Sequence, residues 1–333
     1  MKRGLQVILG LTLIAALAEG LILSRIHLDP WKAAALLESV ALLVGAFVGL
    51  TQTSFTRQLR QWAVSSPWLA GGLPFLLLVP YLIFGLGTRT FSWTALGKLV
   101  AYILVPTALL LPDRLHHREG LGWRDGAAML ALAVPVSTGW FEGIWNWPQD
   151  LYVFRPIFCV LVAGYAFMAL RNLEGVGFRL VWRKSDVWDA VLNLVAFSLL
   201  AIPLGIALNF LHPHSSTSLE RLRGLGPAGN FFLVFIGIYL TVAIPEEMLF
   251  RGILQNLLVR TIRVGPQGLY GLLIASAVFG AAHLHHPPVP NWRYALLAAL
   301  AGIFYGNVYR TRQRLCASAL THALVDTLWH FWF

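Results

Sequence analysis

The chain has 333 residues, of which 57% are hydrophobic and 12% charged, and its mean hydropathy is +0.68. A soluble domain carries about 25% charged residues, so the composition excludes an ordinary soluble globular protein and puts the chain among integral membrane proteins. The net charge of +10 does not indicate a nucleic-acid surface, because the Lys and Arg lie in short gaps between apolar runs, where they set membrane topology.

A spanning helix needs about 20 mostly apolar residues. Such runs fall at 5–24, 33–51, 68–86, 94–111, 124–140, 151–170, 188–211, 229–262, 271–288, 293–309 and 315–333. They predict an all-α, polytopic transmembrane bundle of eleven spans. The first run follows Met1, Lys2 and Arg3 and is longer than a signal-peptide core of about 7–15 residues, so it reads as a retained helix. The run 124–140 is interrupted by Pro135. The run 229–262 is too long for one straight span and contains Pro245, a potential break. With the N-terminus inside, about two-thirds of the 25 Lys and Arg fall on the inner side, the positive-inside pattern.

The stretch from Gly175 to Ala190 mixes Trp, Phe, Arg, Lys and Asp, a composition suited to a membrane interface. It divides an N-terminal transmembrane helical block of unassigned role, 1–174, from a functional core, 175–333. No internal repeat is visible. Cys159 and Cys316 are far apart in apolar surroundings and read as packing residues, not as a disulfide framework.

An ionisable side chain at the centre of a span costs roughly 2.5–3.5 kcal/mol on insertion scales. The string PEEMLFRG places Glu246, Glu247 and Arg251 together in the run 229–262. Glu247 and Arg251 are four apart with the glutamate first, the favourable order for an ion pair on a helix. Glu246 points about 100° away and has no partner in its own helix. A carboxylate beside a second carboxylate, away from water, accepts a proton more readily, which suits a general base acting on water. Later runs bring His283, in FGAAH, and the pair His322 and Asp326, in HALVD. Residues four apart share a helix face, so His322 and Asp326 can act on one site.

The strings EExxxR, FxxxH and Hxxx(N/D), in this order and each in an apolar run, resemble the motifs of the CPBP intramembrane proteases, the family of CAAX endopeptidases and bacterial Abi proteins. The resemblance covers roughly residues 175–333. It implies a peptidase in which Glu246 activates water, His283 helps to hold that water, Glu247 and Arg251 form a supporting pair, and His322 with Asp326 stabilises the oxyanion. The family pattern accepts Asn or Asp at position 326. Asn donates a hydrogen bond directly, whereas an ionised Asp only accepts. Asp326 is therefore expected to orient His322 through a ring N–H and leave the other nitrogen free; a protonated Asp326 is the alternative.

The resemblance leaves open a glutamic or a metal-dependent endopeptidase. The zinc string HExxH is absent, so a site without cofactor is preferred. A zinc ion on Glu246, His283 and His322 is the alternative. Expected partners are the lipid bilayer and a peptide or protein substrate, lipidated or carrying a C-terminal sorting segment, with no nucleic acid. The short hydrophilic loops suit a bacterial inner membrane. Two other classes use the same buried charges. A transporter would need broken helices in two related halves, and no such symmetry is visible. A non-catalytic immunity or chaperone protein would not need the complete motif set. His285 and His286 precede Pro287 and Pro288 at a span end, and Gly280, Gly302 and Gly306 read as small residues that let helices approach.

Overall fold

The computed structural model describes residues 29–116, 118–147, 153–214, 226–264, 266 and 268–333. The expected span at 5–24 lies outside these residues. Among the described residues the regular structure is helical, with no strand. In chain order the helices are α1 (Pro30–Leu50), α2 (Thr53–Ser65), α3 (Pro67–Thr88), α4 (Trp93–Leu115), α5 (Trp123–Ser137), α6 (Phe154–Leu170), α7 (Lys184–Ala207), α8 (Gly226–Thr261), α9 (Leu269–Ala281), α10 (Trp292–Arg312) and α11 (Leu315–Trp332).

Five of these helices, α1, α3, α4, α7 and α8, are long and apolar enough to cross a membrane. The other predicted runs form helices that are shorter or more polar. α5 ends two residues after Pro135, at Ser137. α9 ends at Ala281, short of the predicted 288, and passes into tight turns in which the His283 N–H bonds the Gly280 carbonyl and the Leu284 N–H the Ala281 carbonyl. α11 carries His322, Asp326 and His330, which lower its hydropathy.

The chain divides into two compact units. The first comprises the described residues up to Arg118 together with Gly122–Leu173. In it α1 packs on α3 and α6, and Tyr81, Phe84, Tyr102, Phe141, Phe154 and Phe158 form a buried aromatic core. Asp125 is fully buried and accepts hydrogen bonds from Arg171 at 2.9 Å, Arg118 at 2.8 Å and the Gly122 N–H at 2.8 Å. A buried carboxylate needs such partners to offset its desolvation.

The second unit comprises Glu119–Leu121 and Glu174–Phe333. α9, α10, α11 and α7 pack around a core of Phe197, Ala201, Phe279, Leu297, Ala298, Ala301 and Tyr305. Gly280 permits a close approach of α9 to α10: a Cβ there would lie 2.4 Å from the Ala295 carbonyl oxygen. The stretch 175–190 splits its character. Val181 and Trp188 are exposed, as an interface position requires, but Asp186 is buried and accepts from Arg314 Nε at 2.9 Å and from the Arg183 N–H at 2.8 Å. Leu315 N–H donates to the Gly177 carbonyl at 3.0 Å, so the strap is fastened to the start of α11.

α8 does not break at Pro245. It runs through as one helix with wider π turns at Tyr239–Ala243 and Met248–Gln255, on either side of Ile244–Glu247. Proline lacks an N–H and its ring crowds the carbonyl four residues back; a widened turn relieves both, and such turns recur at functional sites.

Candidate active site

Glu246 and Glu247 are adjacent on α8 and face different surroundings. Glu247 is fully buried, with Oε2 3.3 Å from Arg251 Nε. Its Oε1 accepts from His322 Nδ1 at 3.0 Å, and the Ser318 hydroxyl donates to Oε2. A carboxylate accepts only, so Nδ1 of His322 carries the proton. Glu247 thus ties the α8 motif to the α11 motif, which its spacing to Arg251 did not reveal.

Arg251 is also buried. Nη2 donates to the Gly302 carbonyl at 3.2 Å, and the guanidinium carbon lies 4.4 Å from the ring centroid of Phe279 and 5.5 Å from that of Tyr305. Gly302 and Gly306 admit α8 side chains to the backbone of α10: a Cβ on Gly302 would meet Arg251, and one on Gly306 would meet Gln255. Gln255 donates to the Gly306 carbonyl at 2.9 Å. These contacts give the desolvated cation part of what water no longer supplies.

Phe279, the first residue of FxxxH, touches all three motifs. Its ring lies under Arg251, 4.8 Å from the His283 ring and 5.9 Å from the His322 ring. His283 sits in the turn after α9, not within a helix as the run 271–288 suggests, and its Nδ1 bonds the Phe279 carbonyl at 2.8 Å. A carbonyl only accepts, so Nδ1 is the protonated nitrogen and Nε2 is the acceptor of the neutral ring.

Glu246 has a side chain 35% exposed, and its Oε2 stands 3.9 Å from His322 Nε2. Asp326 Oδ2 is 3.3 Å from the same nitrogen. His322 therefore has a carboxylate on each side of its ring. Asp326 thus stands beside one ring nitrogen, and the other nitrogen, expected to be free, bonds Glu247. Tyr305 stacks on a face of the imidazole, with centroids 4.5 Å apart and planes 14° apart.

Glu246, His283, His322 and Asp326 line one cavity of about 480 Å³. Its polar end holds these side chains with Tyr294 and Tyr305; the rest is largely apolar, including Phe197, Ile202, Phe210 and Trp329. Glu247 and Arg251 lie behind this surface. A carboxylate and a histidine with a free acceptor nitrogen that line one cavity can together bind and deprotonate water. Among the described residues no group of three or more His, Cys, Asp or Glu is arranged to hold a metal ion.

The contributions of Ser318, Tyr294 and Tyr305 were not read from the sequence. Ser318 lies four residues before His322 and so shares its helix face, a signal that was available. Tyr294 and Tyr305 lie on α10, which carries no ionisable motif and offered none. Cys159 and Cys316 are both free, and Cys316 is buried.

No curated protein and no solved structure matches the chain. Residues 228–328, which hold all three motifs, match the family model of the Rce1-like type II CAAX prenyl endopeptidases, a match consistent with a CPBP family intramembrane protease.

Proposed function

We propose that this protein is an intramembrane endopeptidase that hydrolyses a peptide bond of a membrane-associated substrate, lipidated or carrying a C-terminal sorting segment, without a metal. The observation that carries the proposal is the division of labour between adjacent glutamates. Glu247 is sealed among Arg251, Ser318 and His322, while Glu246 opens on the cavity beside His322 and Asp326.

In this reaction Glu246 takes a proton from a water held also by His283 Nε2. The water oxygen bonds to the scissile carbonyl carbon, and the carbonyl oxygen becomes an oxyanion facing His322 Nε2. Carboxylates flank both ring nitrogens of His322, so both can carry protons; Nδ1–H is fixed by Glu247, and Nε2–H is shared between Asp326 and the oxyanion. Collapse of the tetrahedral species breaks the C–N bond, and Glu246 returns its proton to the leaving amine. Glu247 and Arg251 act through position, holding the tautomer and aim of His322.

The apolar walls admit a hydrophobic peptide or its lipid group and keep bulk water from the reacting bond. The reading extends to an eleven-span, N-terminus-inside topology in a bacterial inner membrane, with 175–333 as the protease core and 1–174 as a helical block of unassigned role. Comparative proteomics of a deletion strain tests the proposal: membrane-tail peptides accumulate uncleaved, and the wild-type gene, but not one encoding His283→Ala, restores cleavage. Unaltered peptides in the deletion strain would contradict it.

A further inference from the structure

α10 turns one face to the cavity, with Tyr294, Leu297, Ala298, Ala301 and Tyr305 all lining it at the spacing of a single helix face. Tyr294 stands in the first turn of α10, where its N–H is capped by the Asn291 side chain at 3.1 Å. Its ring is clamped by His283 at 4.7 Å, Trp329 at 5.1 Å, His286 at 5.2 Å and Phe210 at 5.5 Å between centroids. Among the described residues no protein group hydrogen-bonds to its hydroxyl. Tyr294 lines the cavity together with Asp326 and Glu246. A partly buried phenol normally has a partner; Tyr294 lines the cavity, which is where one would sit.

The polar end of the cavity lacks something a peptide hydrolase needs. Position 326 is Asp, which accepts when ionised, where Asn would donate. His322 has carboxylates on both nitrogens. The developing oxyanion is thus short of a neutral donor, while the Tyr294 hydroxyl is a neutral donor lacking an acceptor. The ring is immobilised before substrate arrives, as an oxyanion donor should be.

We propose that Tyr294 is a catalytic residue of the peptidase reaction described above, its hydroxyl donating a hydrogen bond to the scissile carbonyl oxygen as that oxygen becomes an oxyanion. The phenol keeps its proton throughout. The water proton passes to Glu246 and then to the leaving amine, so no additional acid or base is required. The inference rests on the peptidase reading of the site.

The test uses the full chain in lipid vesicles and a fluorogenic prenylated peptide as probe, comparing wild type with Tyr294→Phe, Glu246→Ala and the double variant Tyr294→Phe/Asp326→Asn. Tyr294→Phe keeps the ring and removes only the hydroxyl. Loss of one oxyanion donor lowers kcat by about 100–1,000-fold, and KM stays within a factor of about three because the interaction forms only in the transition state. The carboxamide at position 326 brings a new N–H donor, so the double variant recovers about tenfold or more over Tyr294→Phe, which a packing role for Tyr294 would not produce. A Tyr294→Phe kcat within about threefold of wild type, with Glu246→Ala inactive, overturns the role of Tyr294 alone. Equal cleavage by wild type and Glu246→Ala overturns the peptidase reading beneath it.

Discussion

His322 donates its Nδ1–H to Glu247 at 3.0 Å, so the second glutamate of the pair, not the first, fixes the imidazole. One carboxylate thereby faces Arg251, Ser318 and His322 together, and its neighbour is left open to the cavity. This asymmetry makes the two glutamates distinguishable by experiment.

Removing Glu247 leaves Arg251 buried without its counter-charge. Glu247→Ala is expected to destabilise the protein by about 3–5 kcal/mol, the cost of breaking a buried pair from one side. Glu246→Ala, at a partly exposed position, is expected to change stability by about 0.5 kcal/mol or less. Thermal melts of both variants in the same detergent check the contrast. Equal melting temperatures would mean that Glu247 does not have the anchoring role that its contacts imply.

Asp326→Asn keeps an acceptor oxygen for His322 Nε2–H, and its kcat is expected within about fivefold of wild type. Asp326→Ala removes that acceptor. A hydrogen bond to a charged group is worth about 1.5–3 kcal/mol, so a loss of about 10–100-fold in kcat follows. Steady-state rates on the prenylated probe compare the two. A dead Asp326→Asn beside an active Asp326→Ala would reverse the assignment.

Gly280→Ala sets a methyl group 2.4 Å from the Ala295 carbonyl oxygen and 2.6 Å from the Ala299 side chain. α9 and α10 must separate, at a cost of about 1–3 kcal/mol, and His283, just beyond α9, moves with them. Gly97→Ala on α4 meets nothing within 4 Å and is expected to be neutral or to gain up to about 1 kcal/mol of helix propensity. Paired melting curves and activity assays measure both effects. Wild-type activity and stability in Gly280→Ala would show that the close approach is not needed.

Cleavage is expected to survive metal removal. Extended incubation of the purified protein with a strong chelator, followed by assay without added metal, should leave kcat unchanged. A loss of activity restored by zinc would contradict the metal-free reading of the site.

The three motifs were legible because each places ionisable side chains where they are expensive, and such residues stand out against apolar runs. The i to i+4 spacing also linked Glu247 to Arg251 and His322 to Asp326, and these pairs lie 3.3 Å apart in both cases. The contact between Glu247 and His322 was not legible, since it joins helices 75 residues apart. Neither was the part played by Phe279, whose ring bridges all three motifs but whose residue type looks like core. Pro245 suggested a break, yet α8 absorbs it in π turns, a choice set by packing around the helix. The end of α9 was missed because hydropathy runs on through Ala282 and Leu284.

The most direct measurement is the cleavage rate of Glu246→Gln, which keeps the shape of the side chain and removes the base. Wild type and variant are reconstituted side by side in lipid vesicles with the fluorogenic prenylated peptide, with thermal melts run in parallel. The expected result is an unchanged melt and a kcat at background, a loss of at least about 100-fold for a general base. Wild-type turnover by Glu246→Gln would contradict the assignment of Glu246 as the residue that activates water.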